Sequence, residues 1–175
     1  MNVREFKSND AAVNAAIPPE DTVEATLVKL LGLMYDTVDD TLSIRIPAAQ
    51  EITAPTKRKI LSCIASLYDP LGHCCPLTVR MKKLVQKLWL EGLEWDANVP
   101  QIILQEWKEV QKDLPGGTFT FPRELSAKSI DELAVFSDAS SSHYCACAYS
   151  YCTADQGSSS ELLMAKSRIA PIKPR

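Results

Sequence analysis

The chain has 175 residues, 46% hydrophobic and 23% charged, with a formal net charge of −3. That apolar content supports a packed core and excludes a low-complexity or disordered chain. The slight negative charge excludes a polycation that grips nucleic acid by bulk charge. No apolar run reaches the roughly 18–20 residues of a bilayer span, and residues 1–14 lack the apolar stretch of a secretory signal. An intracellular chain, cytoplasmic or nuclear and without a membrane partner, is therefore expected. The six cysteines, Cys63, Cys74, Cys75, Cys145, Cys147 and Cys152, contain no C-x-x-C pair. They read as reduced thiols rather than as a disulfide framework or zinc site.

Residues 1–21 are polar and close on Pro18-Pro19, as a tail or the end of a truncated segment. Leu27 to Tyr35 is apolar and Leu42 to Ile46 alternates, with Asp36 to Asp40 between them, which predicts a β-hairpin with a polar turn. A linker follows over 47–55. Thr56 is placed to cap a helix over 57–68, whose apolar residues recur at helical spacing. Asp69-Pro70-Leu71-Gly72 stops it, since proline lacks the amide and glycine accepts positive φ. Its aspartate reads as a turn-holding residue.

Pro76 suits the first turn of a second helix, over 77–90. Arg80, Lys83 and Lys87, at i, i+3 and i+7, form a basic stripe on it. Seven basic residues and one acidic one, Asp69, lie between Lys57 and Leu90, a local excess of positive charge. A third helix runs over 100–114, with Ile103, Trp107, Val110 and Leu114 as its apolar ridge, and Pro115-Gly116-Gly117 ends it. Beyond it the pattern changes to strands over 133–136, 143–151 and 161–166, with a polar loop at 153–160. The change of pattern divides the chain near residue 125: a hairpin and three helices over 22–124, then a β-rich part over 125–175.

Six segments, taken in order, resemble one family. Asn2-Val-Arg-Glu-Phe-Lys-Ser-Asn9 is similar to L-R-K-W-x-S-N, with Glu5 and Phe6 departing from it. Leu31-Gly-Leu-Met-Tyr-Asp36 followed by Asp40-Thr-Leu42 is similar to L-G-x-x-W-D…D-x-L. Thr56-Lys-Arg-Lys-Ile-Leu-Ser62 with Asp69-Pro-Leu-Gly72 is similar to T-K-R-x-x-L-S…D-P-L-G. Leu88-Trp89 with Leu93-Glu-Trp-Asp96, then Phe136-Ser-Asp-Ala-Ser140, then Ala165-Lys-Ser-Arg-Ile-Ala-Pro171 complete the set. Together they resemble the Pol polyprotein of Bel/Pao LTR retrotransposons, over the region from the end of the reverse transcriptase palm to the start of RNase H.

The resemblance implies an α+β fold: a palm hairpin, a helical thumb or connection, then the first strands of an incomplete RNase H-like sheet. It implies an RNA–DNA hybrid or template–primer duplex as partner, with the remainder of the Pol polyprotein. Asp138 becomes the candidate catalytic carboxylate and metal ligand, for Mg²⁺ within a complete RNase H set. Such chemistry needs several carboxylates around two ions about 4 Å apart, so the chain by itself is expected to be catalytically incomplete. Asp131, Glu132, Asp155 and Glu161 are not expected to complete the set. Lys57, Arg58, Lys59, Arg80, Lys83 and Lys87 are the candidate contacts to nucleic-acid phosphates. Trp89, Trp95 and Trp107, at helical spacing among leucines, read as core.

Two other readings compete. One is a domesticated or decayed element remnant, acting as a protein-interaction module or without function. The other is an aspartic peptidase, which needs Asp-Thr/Ser-Gly so that two carboxylates share a proton. The chain has Asp138-Ala-Ser instead, which argues against it.

Overall fold

A computed structural model describes residues 5–49, 54–125, 130–154 and 157–172. The described residues of Met1–Ile44 and Thr118–Ser126 form one compact unit, and those of Arg45–Gly117 and Ala127–Arg175 a second. The expected division near residue 125 is therefore not where the contacts divide: the helices cluster with the C-terminal strands, not with the hairpin.

The first unit holds a sheet of order β1-β2-β3-β4, built from β1 (Leu27–Leu30), β2 (Leu33–Asp36), β3 (Thr41–Arg45) and β4 (Thr118–Pro122). The hairpin of β2 and β3 forms as expected, pairing Tyr35 with Leu42. The arm read as one strand is two, because Leu31 and Gly32 both adopt positive φ (49° and 92°). Two consecutive left-handed residues make the tight turn whose twist suits a hairpin. Strand β4, unrecognised in the sequence, follows directly on the Pro115-Gly-Gly breaker. It joins the sheet with a hydroxyl contact between Ser43 and Thr120 at 3.1 Å. Leu33, Tyr35, Leu42 and Ile44 are buried by alternation. Asp40 ties the unit together: it accepts from the Tyr35 hydroxyl at 2.7 Å and from both arms of Arg123 at 2.6 and 2.9 Å. Those bonds hold the Asp40 carboxyl below the usual carboxylate range. The 1–21 segment carries a six-residue helix, α1 (Ala11–Ala16), capped by Asp10; residues 1–4 lie outside the described residues.

In the second unit, α2 (Lys57–Ala65) begins at Thr56, whose hydroxyl accepts from the Lys59 amide at 3.3 Å. Helix α3 (Cys75–Leu90) starts with Pro76 in its first turn, and α4 (Gln101–Lys112) follows Pro100. Their apolar ridges converge: Ile60 from α2, Met81, Leu84 and Leu88 from α3, and Ile103 and Trp107 from α4 are all buried. Residues 50–53 of the expected linker lie outside the described residues.

The second sheet has the order β5-β6-β7, antiparallel throughout, from β5 (Glu132–Ala139), β6 (His143–Ala154) and β7 (Gly157–Ile169). These strands are longer than the sequence pattern suggests. The polar 153–160 segment is largely strand, because Thr153, Ser158, Ser159 and Ser160 pair across β6 and β7. Cross-strand backbone pairing compensates there for side chains with little burial.

Two devices dock the helices on β7. Lys82 donates to the Ser167 carbonyl and hydroxyl at 3.0 and 3.2 Å, and Gln86 donates to the Ala170 carbonyl at 3.0 Å. The turn after α2 adds to the outer edge of β7, with the Ala165 amide donating to the Leu71 carbonyl at 2.8 Å. Asp69 shapes that turn by accepting from the Gly72 and Cys74 amides at 2.9 and 2.8 Å. Gly72 sits at φ +81°, and a Cβ there would overlap the Ala165 carbonyl. The D-P-L-G and A-K-S-R segments, far apart in sequence, are thus two sides of one contact.

Candidate nucleic-acid interface

Asp138 lies near the end of β5. The register aligns it with Cys145 on β6, itself paired with Ser167 on β7, so the three share a sheet face. The carboxylate is exposed, and no hydrogen bond or ion pair joins it to another described residue. Lys166 and Arg168 stand in rows alternating with that of Asp138, so their side chains take the opposite face, where they line a shallow depression of about 660 Å³ with Ser137, Ala139, Tyr144 and Ala146. Sequence reasoning did not enlist these two cations, although both stand in the A-K-S-R segment two positions apart.

The carboxylates the sequence set aside remain apart from Asp138. Asp131 accepts from the Thr153 amide and hydroxyl, both at 2.6 Å, which lowers its pKa. Glu132 lies at the opposite end of β5, and Glu161 pairs with Ser150 across the sheet. Asp155 lies outside the described residues. Among the described residues no three His, Cys, Asp or Glu side chains are grouped as a metal site. A lone carboxylate beside a thiol does not fit a pair of Mg²⁺ ions, which take several carboxylate oxygens. All six cysteines are free thiols. Burial pushes the Cys74 thiol up to about 11, helped by the nearby Asp69 charge.

The basic residues fall into three groups. Lys57 is a correction to the sequence reading: it is 4% exposed and unavailable to phosphate. Its ammonium lies 3.6 Å from the ring centre of Trp89 and 5.2 Å from that of Trp95, and donates to the Leu93 carbonyl at 3.3 Å. The two indoles meet edge-to-face at 5.6 Å and are about half-exposed, so they form a cage for the cation rather than core. Trp107 alone is buried as expected.

The second group is exposed but paired. Arg58 binds Asp96 in a fork, at 2.7 and 2.9 Å, which raises the arginine pKa and lowers that of the carboxyl. Arg80 pairs with Asp113, and Lys87 with Glu106. Lys59 and Lys83 make up the third group, exposed and with no ion pair to a described residue. Arg80, Lys83 and Lys87 line one side of a groove of about 460 Å³, with Glu106 and Glu109 facing them and His143 at its border. His143 Nδ1 lies 2.9 Å from the Ser142 hydroxyl in the β5–β6 turn.

No curated protein matches the chain. The family described as Pao retrotransposon-like RNaseH-like domain matches residues 56–175. The match starts at the cap of α2 and takes in the helices with the strands, as the second compact unit does. With more than half of its length matched, and with a three-stranded antiparallel sheet bearing helices, the chain belongs to the Pao retrotransposon-like RNaseH-like domain family.

Proposed function

We propose that this chain serves a retrotransposon Pol polyprotein by holding an RNA–DNA hybrid or template–primer duplex against the RNase H-like sheet, without cleaving it by itself. The observation that carries the reading is the basic stripe of α3. It lies in the same compact unit as the sheet that bears Asp138. Lys59 and Lys83 offer free ammonium groups, and the half-exposed Arg80 and Lys87 lie beside Lys83 in the groove. Phosphate contacts of this kind position a duplex without reading its sequence. Asp138 is the carboxylate this unit would contribute to a larger metal-binding set.

The open strand β5 supports a protein partner as well. Leu133, Val135 and Phe136 are each at least 60% exposed on it, and apolar strand surface of that kind calls for cover. The partner we assign is the remainder of the Pol polyprotein.

Fluorescence anisotropy with a labelled RNA–DNA hybrid at rising salt tests the nucleic-acid reading. R80Q/K83Q/K87Q is expected to bind more weakly and with a shallower salt dependence. The log–log slope should fall by about 0.9 for every phosphate that is no longer neutralised. Unchanged affinity and slope would overturn the reading.

A further inference from the structure

The stripe on α3 has a counterpart on α4. Arg80, Lys83 and Lys87 stand at i, i+3 and i+7, and Glu106, Glu109 and Asp113 repeat that spacing with opposite sign. The matched ends are paired, Arg80 with Asp113 and Lys87 with Glu106, so the two stripes run antiparallel along one groove. At the centre the match is open: Glu109 pairs with Lys112 of its own helix, which leaves Lys83 unpaired.

From this geometry we infer that the acidic stripe of α4 is an internal competitor for phosphate, which occupies two of the three cations of the α3 stripe and sets the strength of duplex binding. The inference rests on the proposed function and concerns the regulation of that same site. Side-chain exposures of 50% and 39% for Arg80–Asp113, and of 41% and 36% for Lys87–Glu106, leave both pairs open to solvent. Exposed pairs are weakly held and screened by salt. A duplex phosphate offers the same fork-binding chemistry to Arg80 as the Asp113 carboxylate does, and gains counterion release. Lys83 supplies first contact, and the flanking cations engage only by leaving α4. In this arrangement α4 tunes affinity downward and keeps binding reversible.

The test compares the full chain with E106Q/E109Q/D113N and with E91Q/E94Q/E132Q. The second variant removes the same charge from exposed acids that make no ion pair with the α3 stripe. Anisotropy titrations use a short fluorescein-labelled RNA–DNA hybrid between about 50 and 200 mM salt, a range over which each neutralised phosphate costs roughly 3.5-fold in affinity. If α4 competes, the groove variant binds more tightly than the charge-matched variant. Its log–log salt slope is then steeper, by up to about 1.8 where both flanking cations stay on α4 in the unaltered chain. Equal affinity and slope in the two variants overturn the inference. If R80Q/K83Q/K87Q still weakens binding in that case, the proposed function stands without it. No measurable binding by any of these chains overturns both. Should the triple groove variant fail to fold, D113N against E94Q makes the same comparison, with tighter binding by D113N and a slope difference of up to about 0.9.

Discussion

Replacing Gly72 with alanine tests how the helices and the sheet become one unit. Gly72 carries φ +81°, and Gly92, at φ +59°, closes α3 in the same unit. A side chain in the left-handed region costs about 1–2 kcal/mol at either position. The two differ in surroundings: a Cβ on Gly92 has open space, whereas one on Gly72 overlaps the Ala165 carbonyl. The turn must then withdraw from β7 and give up the Leu71–Ala165 hydrogen bond, a further loss of about 1 kcal/mol. Gly72→Ala is expected to destabilise by about 2–3 kcal/mol and lower Tm by roughly 10 °C, and Gly92→Ala by about half as much. Trp89, Trp95 and Trp107 are the chain's only tryptophans and all belong to this unit, so indole fluorescence reports its unfolding alone. Equal destabilisation by the two substitutions would refute the docking of the D-P-L-G turn on β7.

Lys57→Ala removes a buried cation from two indoles and should cost about 1–3 kcal/mol by urea denaturation. Lys59→Ala, on the exposed side, should stay within about 0.5 kcal/mol; similar costs would contradict the cage. The unfolded Cys74 thiol ionises near its ordinary 9.0 and the folded one not until about 11. The protonated thiol therefore contributes stability that is fully present below pH 9.0 and lost as pH rises to about 11. Chemical denaturation across that interval should show the loss, and Cys74→Ala should reduce it; an unaltered alkaline profile in the variant would count against the burial of Cys74. Asp138→Asn should leave stability within about 0.5 kcal/mol, because the carboxylate has no described partner. A thermal shift well beyond that would make Asp138 a structural turn residue.

The elements were mostly legible where one signal dominated. The apolar ridges of α3 and α4 and their proline starts gave both helices to within a few residues. Strand β4 was hidden because Thr118 to Pro122 is short, follows a breaker and pairs with residues more than seventy positions earlier, such as Ser43. The serine-rich ends of β6 and β7 look like loop because their pairing is carried by backbone rather than by apolar side chains.

For the site, periodicity gave the α3 stripe but not what answers it. Lys57 lies beside Arg58 and Lys59 in sequence, yet helical geometry turns it inward to Trp89 and Trp95, residues on α3 and in the turn after it. The acids Glu106 and Asp113 were available in the sequence at the same spacing as the basic stripe. Their role depends on the antiparallel approach of α3 and α4, a tertiary fact that spacing within one helix does not contain.

The most direct measurement for the central claim is lysine footprinting of the full chain with and without bound RNA–DNA hybrid. A short pulse of an acetylating reagent is followed by peptide mass analysis. The account predicts that hybrid protects Lys83 and Lys59, while buried Lys57 stays unreactive in both states. Equal modification of Lys83 at saturating hybrid would contradict the claim that α3 faces nucleic acid.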